Sequence, residues 1–179
     1  MKIESKRFGT IEVKEDRVLT LKGGLLGFSN MTNFVLVDDR ADTNHPFKWL
    51  VSLDDPECGF LVTDPGIFFS DYVFDLSEED RQAIGAETED DILVITLLTV
   101  PANPKEITAN LRGPLVFNSN TRNGKQIVLA NSGYATKHYI FLQAKDSNAT
   151  EAETTADNAI FPAAMAMGAS ANTEVKTQS

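Results

Sequence analysis

Three side chains could open covalent chemistry: Cys58, His45 and His138. A nucleophile needs a base within hydrogen-bond reach and a third group to orient that base. Cys58 stands in Asp55-Pro56-Glu57-Cys58-Gly59, where neighbouring acids raise a thiol pKa instead of activating the thiol. A packed structural cysteine is the better reading. His45 precedes Pro46 in a polar loop and His138 falls in a β-type run, so the two histidines have no metal-ligand spacing. Asp38, Asp39 and Asp42 resemble half of a calcium loop but lack its Gly and terminal Glu. Glu87, Glu89, Asp90 and Asp91 form a second acidic group, read first as a solvated loop and then as a site for a basic partner. Gly23-Gly24-Leu25-Leu26-Gly27 has neither dinucleotide-loop spacing nor the Lys-Ser/Thr end of a phosphate loop, and reads as a corner between strands. The residues give no catalytic set, no metal site and no cofactor site; the expectation is a non-enzymatic binding protein.

The elements that would carry these groups are short β-type runs separated by turn signals: residues 2–8, 10–14, 17–21, 34–38, 48–53, 59–63, 67–76, 92–100, 107–111, 115–118, 126–130 and 134–142. Asp55-Pro56, Asp64-Pro65 and Asn103-Pro104 punctuate them, and Asn123-Gly124 predicts a hairpin turn because type I′ turns need positive φ at both central residues. Ser77 followed by Glu78, Glu79 and Asp80 predicts one helix over Glu78–Ile84, stopped by Gly85. Without helices alternating with strands, a parallel α/β sheet is not expected; a compact mainly β barrel or sandwich is.

Composition bounds the partners. The 179 residues carry a net charge of −10, a field that repels nucleic-acid phosphates and favours a basic protein. The N-terminal MKIESKRFGTIEV has no apolar run of the secretory type, and no stretch approaches a membrane span, so the expected location is the cytoplasm with no membrane contact. After Leu142 the chain becomes rich in Ala and Thr, with Phe161 its single aromatic. The expected organisation is a β domain over 1–142 and a low-complexity, flexible tail over 143–179, in which Asn158 to Gly168 (NAIFPAAMAMG) is apolar enough to dock as a short helix after Pro162.

The order of motifs resembles the flagellar assembly factor family FliW. The resemblance lies in Arg7-Phe8-Gly9-Thr10-Ile11-Glu12-Val13, Gly24-Leu25-Leu26-Gly27-Phe28, Ser52-Leu53-Asp54-Asp55-Pro56-Glu57, Phe60-Leu61-Val62-Thr63-Asp64-Pro65, Thr99-Val100-Pro101, the run from Asn110 to Asn118, and Tyr134. It covers residues 1–142, with Leu26 standing where the family often has Pro. It implies a small antiparallel pseudobarrel without catalytic activity. It further implies two protein partners, flagellin and the RNA-binding translational repressor CsrA, and no direct contact with nucleic acid. The expected contact residues are Phe28, Asn110, Arg112, Asn118 and Tyr134 at strand ends and corners, with the acidic group Glu87, Glu89, Asp90 and Asp91 facing a basic partner. Phe8, Phe60 and Val62 are expected in the core.

Overall fold

The computed structural model describes residues 1–38 and 45–141. Asp39, Asp42 and the whole of the expected tail lie outside the described residues.

The strands are β1 (Lys2–Ser5), β2 (Gly9–Glu12), β3 (Leu19–Leu21), β4 (Asn33–Val37), β5 (Phe47–Ser52), β6 (Gly59–Thr63), β7 (Ile92–Thr99), β8 (Thr108–Ala109), β9 (Leu115–Asn118), β10 (Asn123–Gln126) and β11 (His138–Tyr139), with α1 (Glu78–Ile84) between β6 and β7. Seven of them run in the order β7-β6-β5-β4-β3-β10-β9, and β9 pairs back onto β7. The sheet therefore closes into a barrel, which removes its edges. β8 and β11 extend the sheet from the end of β7, and β1–β2 form a separate hairpin.

Alternation along each strand sends one set of side chains inward and the other into an outer layer. Leu21, Phe34, Leu50, Val62, Leu93, Ile95, Leu115 and Phe117 fill the barrel. Full burial of a side chain such as Phe34 or Phe117 stabilises by about 1.5–3 kcal/mol. Outside, the β1–β2 hairpin lays Phe8, Ile11 and Val13 on Val35, Val37 and Val51. Ile84 of α1 joins Ile127 and Leu129 against Ile92, Val94 and Val116. Because both faces are covered, β7 reads as a continuous apolar run, ILVITLL, instead of alternating with polar residues.

Glu78–Ile84 is helical as its sequence predicts. Ser77 Oγ accepts from Asp80 N at 3.1 Å, three acids occupy the first turn, and Gly85 ends the helix at φ 71°. Three expectations need correction. Asn123-Gly124 is not the turn of a hairpin: both residues lie in β10, and the reversal occurs before them, with Arg122 at φ 64°. Gly124 is needed there because a Cβ would stand 2.1 Å from Phe117 Cδ1. Residues 67–76 are not a strand; after a single 3-10 turn at Pro65–Ile67 the segment crosses outer apolar residues without a ladder partner. It is held instead by side chains, Tyr72 Oη donating to Leu111 O at 2.8 Å and Tyr134 Oη donating to Val73 O at 3.0 Å. The pairing is also not wholly antiparallel, since β10 lies parallel to β3 through Asn123–Thr20 and Gly124–Leu21.

Candidate partner-binding surface

The glycine-rich segment between β3 and β4 builds an exposed apolar corner. Gly24 sits at φ +71°, and a Cβ there would lie 2.5 Å from Ser29 O, so only glycine fits. Phe28 N donates to Leu25 O at 2.7 Å and Met31 N to Phe28 O at 2.9 Å, closing the loop on itself. Leu25 and Met31 anchor it inside the barrel. What remains outward is Leu26, 61% exposed, and Phe28, 41% exposed. The Phe28 ring meets Phe60 edge-on with centroids 5.3 Å apart. Phe60, Leu36 and Cys58 are only partly buried against the barrel interior, and Leu36 and Phe60 flank Leu50 in one cross-strand row. Here the apolar core reaches the surface.

Gln126 ties this corner to the turn before β9. Its Oε1 accepts from Leu26 N at 2.9 Å and its Nε2 donates to Gly113 O at 3.1 Å. Gly113 N in turn donates to Asn110 Oδ1 at 3.0 Å. The expected contact residues Phe28, Asn110 and Arg112 are thereby brought to neighbouring positions, although the Asn110 side chain is engaged in holding its own turn. Arg112 is exposed, and its guanidinium makes no hydrogen bond or ion pair among the described residues.

On another flank of the corner stands α1. Lys22, beside Gly23, donates its ammonium to Ala83 O, and Lys125 Nζ pairs with Asp80 Oδ1 at 2.6 Å. These two lysines mount the helix so that Glu78 and Glu79 are exposed, with Glu87, Glu89 and Asp90 exposed on the connection that follows. Burial would raise the Asp80 carboxyl, but the Lys125 and Ser77 hydrogen bonds and the Lys125 charge hold it below its ordinary value.

Asp91 differs from its acidic neighbours. Its Oδ2 accepts from Thr88 N at 2.9 Å, Thr88 Oγ1 at 3.0 Å and Glu87 N at 3.2 Å, while Oδ1 accepts from Asn120 Nδ2 at 2.8 Å. The Thr88 backbone bond leads these contacts in holding its carboxyl below the ordinary range. Asp91 therefore joins the acidic connection to the β9–β10 turn and braces the framework there. Asn118, expected as a contact at a strand end, is instead buried: it is 3% exposed, its Nδ2 donates to Gly85 O at 2.6 Å, and its Oδ1 accepts from Asn120 N and Thr121 N. Tyr134 is half-buried, with its ring 4.8 Å from Tyr72 and its hydroxyl clamped on Val73. Leu26 and Gln126 are the residues that sequence reasoning missed. The signal for Leu26 was present, as an apolar residue set among glycines with no periodicity to bury it.

Neither histidine is poised as a base beside the thiol. Phe47 N donates to His45 Nδ1 at 3.3 Å, and Ala135 N donates to His138 Nε2 at 2.8 Å, so each ring nitrogen holds a local turn. Burial, then the Asp55 charge, pushes the Cys58 thiol up, which keeps it protonated. What the surface offers is an aromatic and aliphatic corner flanked by carboxylates, a combination suited to protein recognition.

The closed seven-strand barrel with one capping helix defines a small β-barrel protein. The chain belongs to the FliW family: the family model described as FliW protein matches residues 2–140. It is 42% identical over 142 residues to the flagellar assembly factor FliW of Natranaerobius thermophilus, covering 79% of this chain and 93% of that one. It is 39% identical over 149 residues to the FliW of Geobacter sulfurreducens, covering 83% and 92%. A crystal structure of the flagellar assembly factor FliW superposes with a TM-score of 0.72 at 34% identity, covering 79% of this chain and 97% of that one. No described helix is long and apolar enough to cross a membrane.

Proposed function

We propose that this protein is a cytoplasmic, non-enzymatic assembly factor that binds flagellin and, when free of it, binds the translational repressor CsrA and lifts repression of flagellin synthesis. The observation that supports this most is the carboxylate surface of Glu78, Glu79, Glu87, Glu89 and Asp90 on a chain of net charge −10. A basic RNA-binding protein is drawn to that surface and, once docked, loses attraction for phosphates. The apolar corner at Leu26 and Phe28 supports the flagellin half of the reading, because an exposed aromatic edge takes the apolar face of an incompletely assembled protein. Lys22 and Lys125 mount α1 beside that corner, so a partner on one region obstructs the other.

The test is titration of purified protein into a preformed CsrA–RNA complex, with and without flagellin. Release of RNA that flagellin suppresses is expected. RNA remaining bound at saturating protein would reject the antagonist role. It would leave the second reading, a flagellin-specific chaperone-like protein without a translational role, which the apolar corner favours by itself. The division into a binding domain over 1–142 and a tail over 143–179 dispensable for stability belongs to the same proposal.

A further inference from the structure

We infer that Arg7, seated on Trp49 and Phe8, is an anion site on the outer layer of the barrel that takes a carboxylate from an acidic segment of a protein partner. The Arg7 guanidinium carbon lies 4.6 Å from the centroid of the Trp49 ring and 5.1 Å from that of Phe8. The two rings stand 5.5 Å apart with their planes tilted by 58°, and together they form a seat for the cation. Among the described residues the guanidinium has no hydrogen-bond or ion-pair partner, so its N–H fork stays available. A planar fork held by stacking gives up little freedom when it grips a carboxylate through two parallel bonds.

The seat is fixed from several sides. Ser5 Oγ accepts from Arg7 N and Phe8 N, each at 3.1 Å, and shapes the turn between β1 and β2. Glu57 Oε1 accepts from Lys6 N at 2.7 Å and ties that turn to the segment before β6. Phe8 is wedged against β6, where a Cβ on Gly59 would stand 2.5 Å from Phe8 Cζ. Trp49 is held in β5, opposite Val37 on one side and Leu61 on the other. The buried Phe8 ring anchors the hairpin, whereas the Arg7 side chain is exposed and its charge is left over from the packing.

Charge selects the kind of anion. Asp55 and Glu57 lie on the adjoining turn, where Asp55 Oδ1 accepts from Glu57 N at 3.2 Å. These two acids and the net charge of −10 oppose a nucleic acid or any other polyanion. Lys6, beside Arg7, is exposed and adds one further positive charge. Lys48, the neighbour of Trp49 in β5, turns to the opposite face and is paired with Asp38. One stacked fork with one flanking lysine matches carboxylates presented singly along an acidic segment. That chemistry is opposite to the basic partner drawn to the acids around α1, and the site rests on neither partner named above.

Trp49 is the single tryptophan, so its indole N–H resonance reads the site in the full chain. The probe is the blocked peptide acetyl-Gly-Glu-Gly-Glu-Gly-amide, with Gln in place of Glu as the control. The Glu peptide should move the Trp49 Nε1–H and Arg7 Nε–H resonances saturably, in the millimolar range expected of one anchor. Arg7→Gln should weaken the response by about tenfold, the loss of a charge-assisted bidentate pair. Arg7→Lys keeps the charge without the fork and should weaken it by a smaller factor. Equal shifts from the Gln peptide, or a response that survives Arg7→Gln, would overturn the site. A lowered denaturant midpoint in Arg7→Gln with an unchanged peptide response would make Arg7 a cover for Trp49 and overturn it as well. Tighter binding of a single-stranded oligothymidylate would overturn the choice of carboxylate over phosphate. Failure of CsrA or flagellin to bind would leave these shifts as they are, so the two readings fail separately.

Discussion

Asn118 Nδ2 donates to Gly85 O at 2.6 Å, joining the last residue of β9 to the cap of α1 across 33 positions of sequence. The same amide accepts from Asn120 N at 2.8 Å and Thr121 N at 2.9 Å, so one buried side chain shapes the β9–β10 turn and fixes where the helix ends. Removing it deprives one carbonyl and two N–H groups of the partner that holds the turn and the helix end together. Asn118→Ala should therefore lower stability by about 2–3 kcal/mol, read from denaturant midpoints at unchanged slope. The refolded variant should bind partners as before. A stability loss under about 0.5 kcal/mol would mean that water takes over these bonds.

The close approach of Gly124 to Phe117 gives the second prediction. Phe117 is fully buried in the barrel, and a Cβ on Gly124 would overlap its ring at 2.1 Å. The ring is packed among the buried residues of the barrel interior, and β10 is held between β9 and β3. Gly124→Ala should cost on the order of 3 kcal/mol. Gly9→Ala is the control: at φ +71°, with nothing within 4 Å, it suffers only backbone strain of roughly 1–2 kcal/mol. Equal thermal shifts for the two variants would contradict the steric argument.

These two residues also show what the sequence could and could not reveal. The helix was legible because its cap, its first-turn acids and its terminal glycine all act locally. The strands of the barrel were legible from apolar runs bounded by turns. Asn123-Gly124 misled because the same dipeptide serves a tight turn or a tight packing contact, and only Phe117, brought near by barrel closure, decides between them. The parallel pairing of β3 with β10 left no local trace, since it joins residues a hundred positions apart. Residues 67–76 carry β-type side chains, yet their partners are Leu111 and Tyr134 on distant segments. At the surface, Phe28 was readable as a corner residue. Asn118 and Asp91 were not readable as internal braces, because polarity alone does not say which way a side chain turns.

Acid sensitivity follows from the braced carboxylates. Asp54 Oδ2 accepts from Thr32 N at 2.7 Å and Asn33 N at 2.8 Å, splicing the turn after β5 to the start of β4. Burial would raise its carboxyl, but these bonds, with those from the Asn33 and Thr32 side chains, leave it below its ordinary value of 3.8. Asp80 and Asp91 are also lowered. A lowered folded-state pKa gives stability that is present above 3.8 and lost as pH falls through the folded value. Asp64 has the opposite sign: burial, outweighing its Gly66 N bond, raises it, so its contribution is present below 3.8 and lost as pH rises through its folded value. Glu12 is lowered too, by its hydrogen bond to Lys2 and the Lys2 charge, so with four described carboxyls lowered against one raised, melting temperature should fall between roughly pH 5 and pH 2. Asp54→Asn should flatten that fall, and Asp64→Asn should not lower stability at pH 7. A profile in Asp54→Asn as steep as the parent's would remove Asp54 from the account.

The acidic connection after α1 supplies the last prediction. Glu87, Glu89 and Asp90 are exposed, whereas Asp91 braces the connection through Thr88 and Asn120. Neutralising all four together would confound charge with structure, so the informative variant is Glu87→Gln, Glu89→Gln, Asp90→Asn with Asp91 kept. If these carboxylates steer a basic partner, the triple variant should slow association with CsrA by about tenfold at low salt and leave dissociation nearly unchanged. The difference from the parent should shrink near physiological ionic strength, where screening acts within about 8 Å. Asp91→Asn belongs beside it as a structural comparison: it should lower thermal stability and leave the association rate within a factor of about two. Association that is salt-dependent yet identical in parent and triple variant would place the steering charges elsewhere, with Glu78 and Glu79 on α1 the next pair to neutralise.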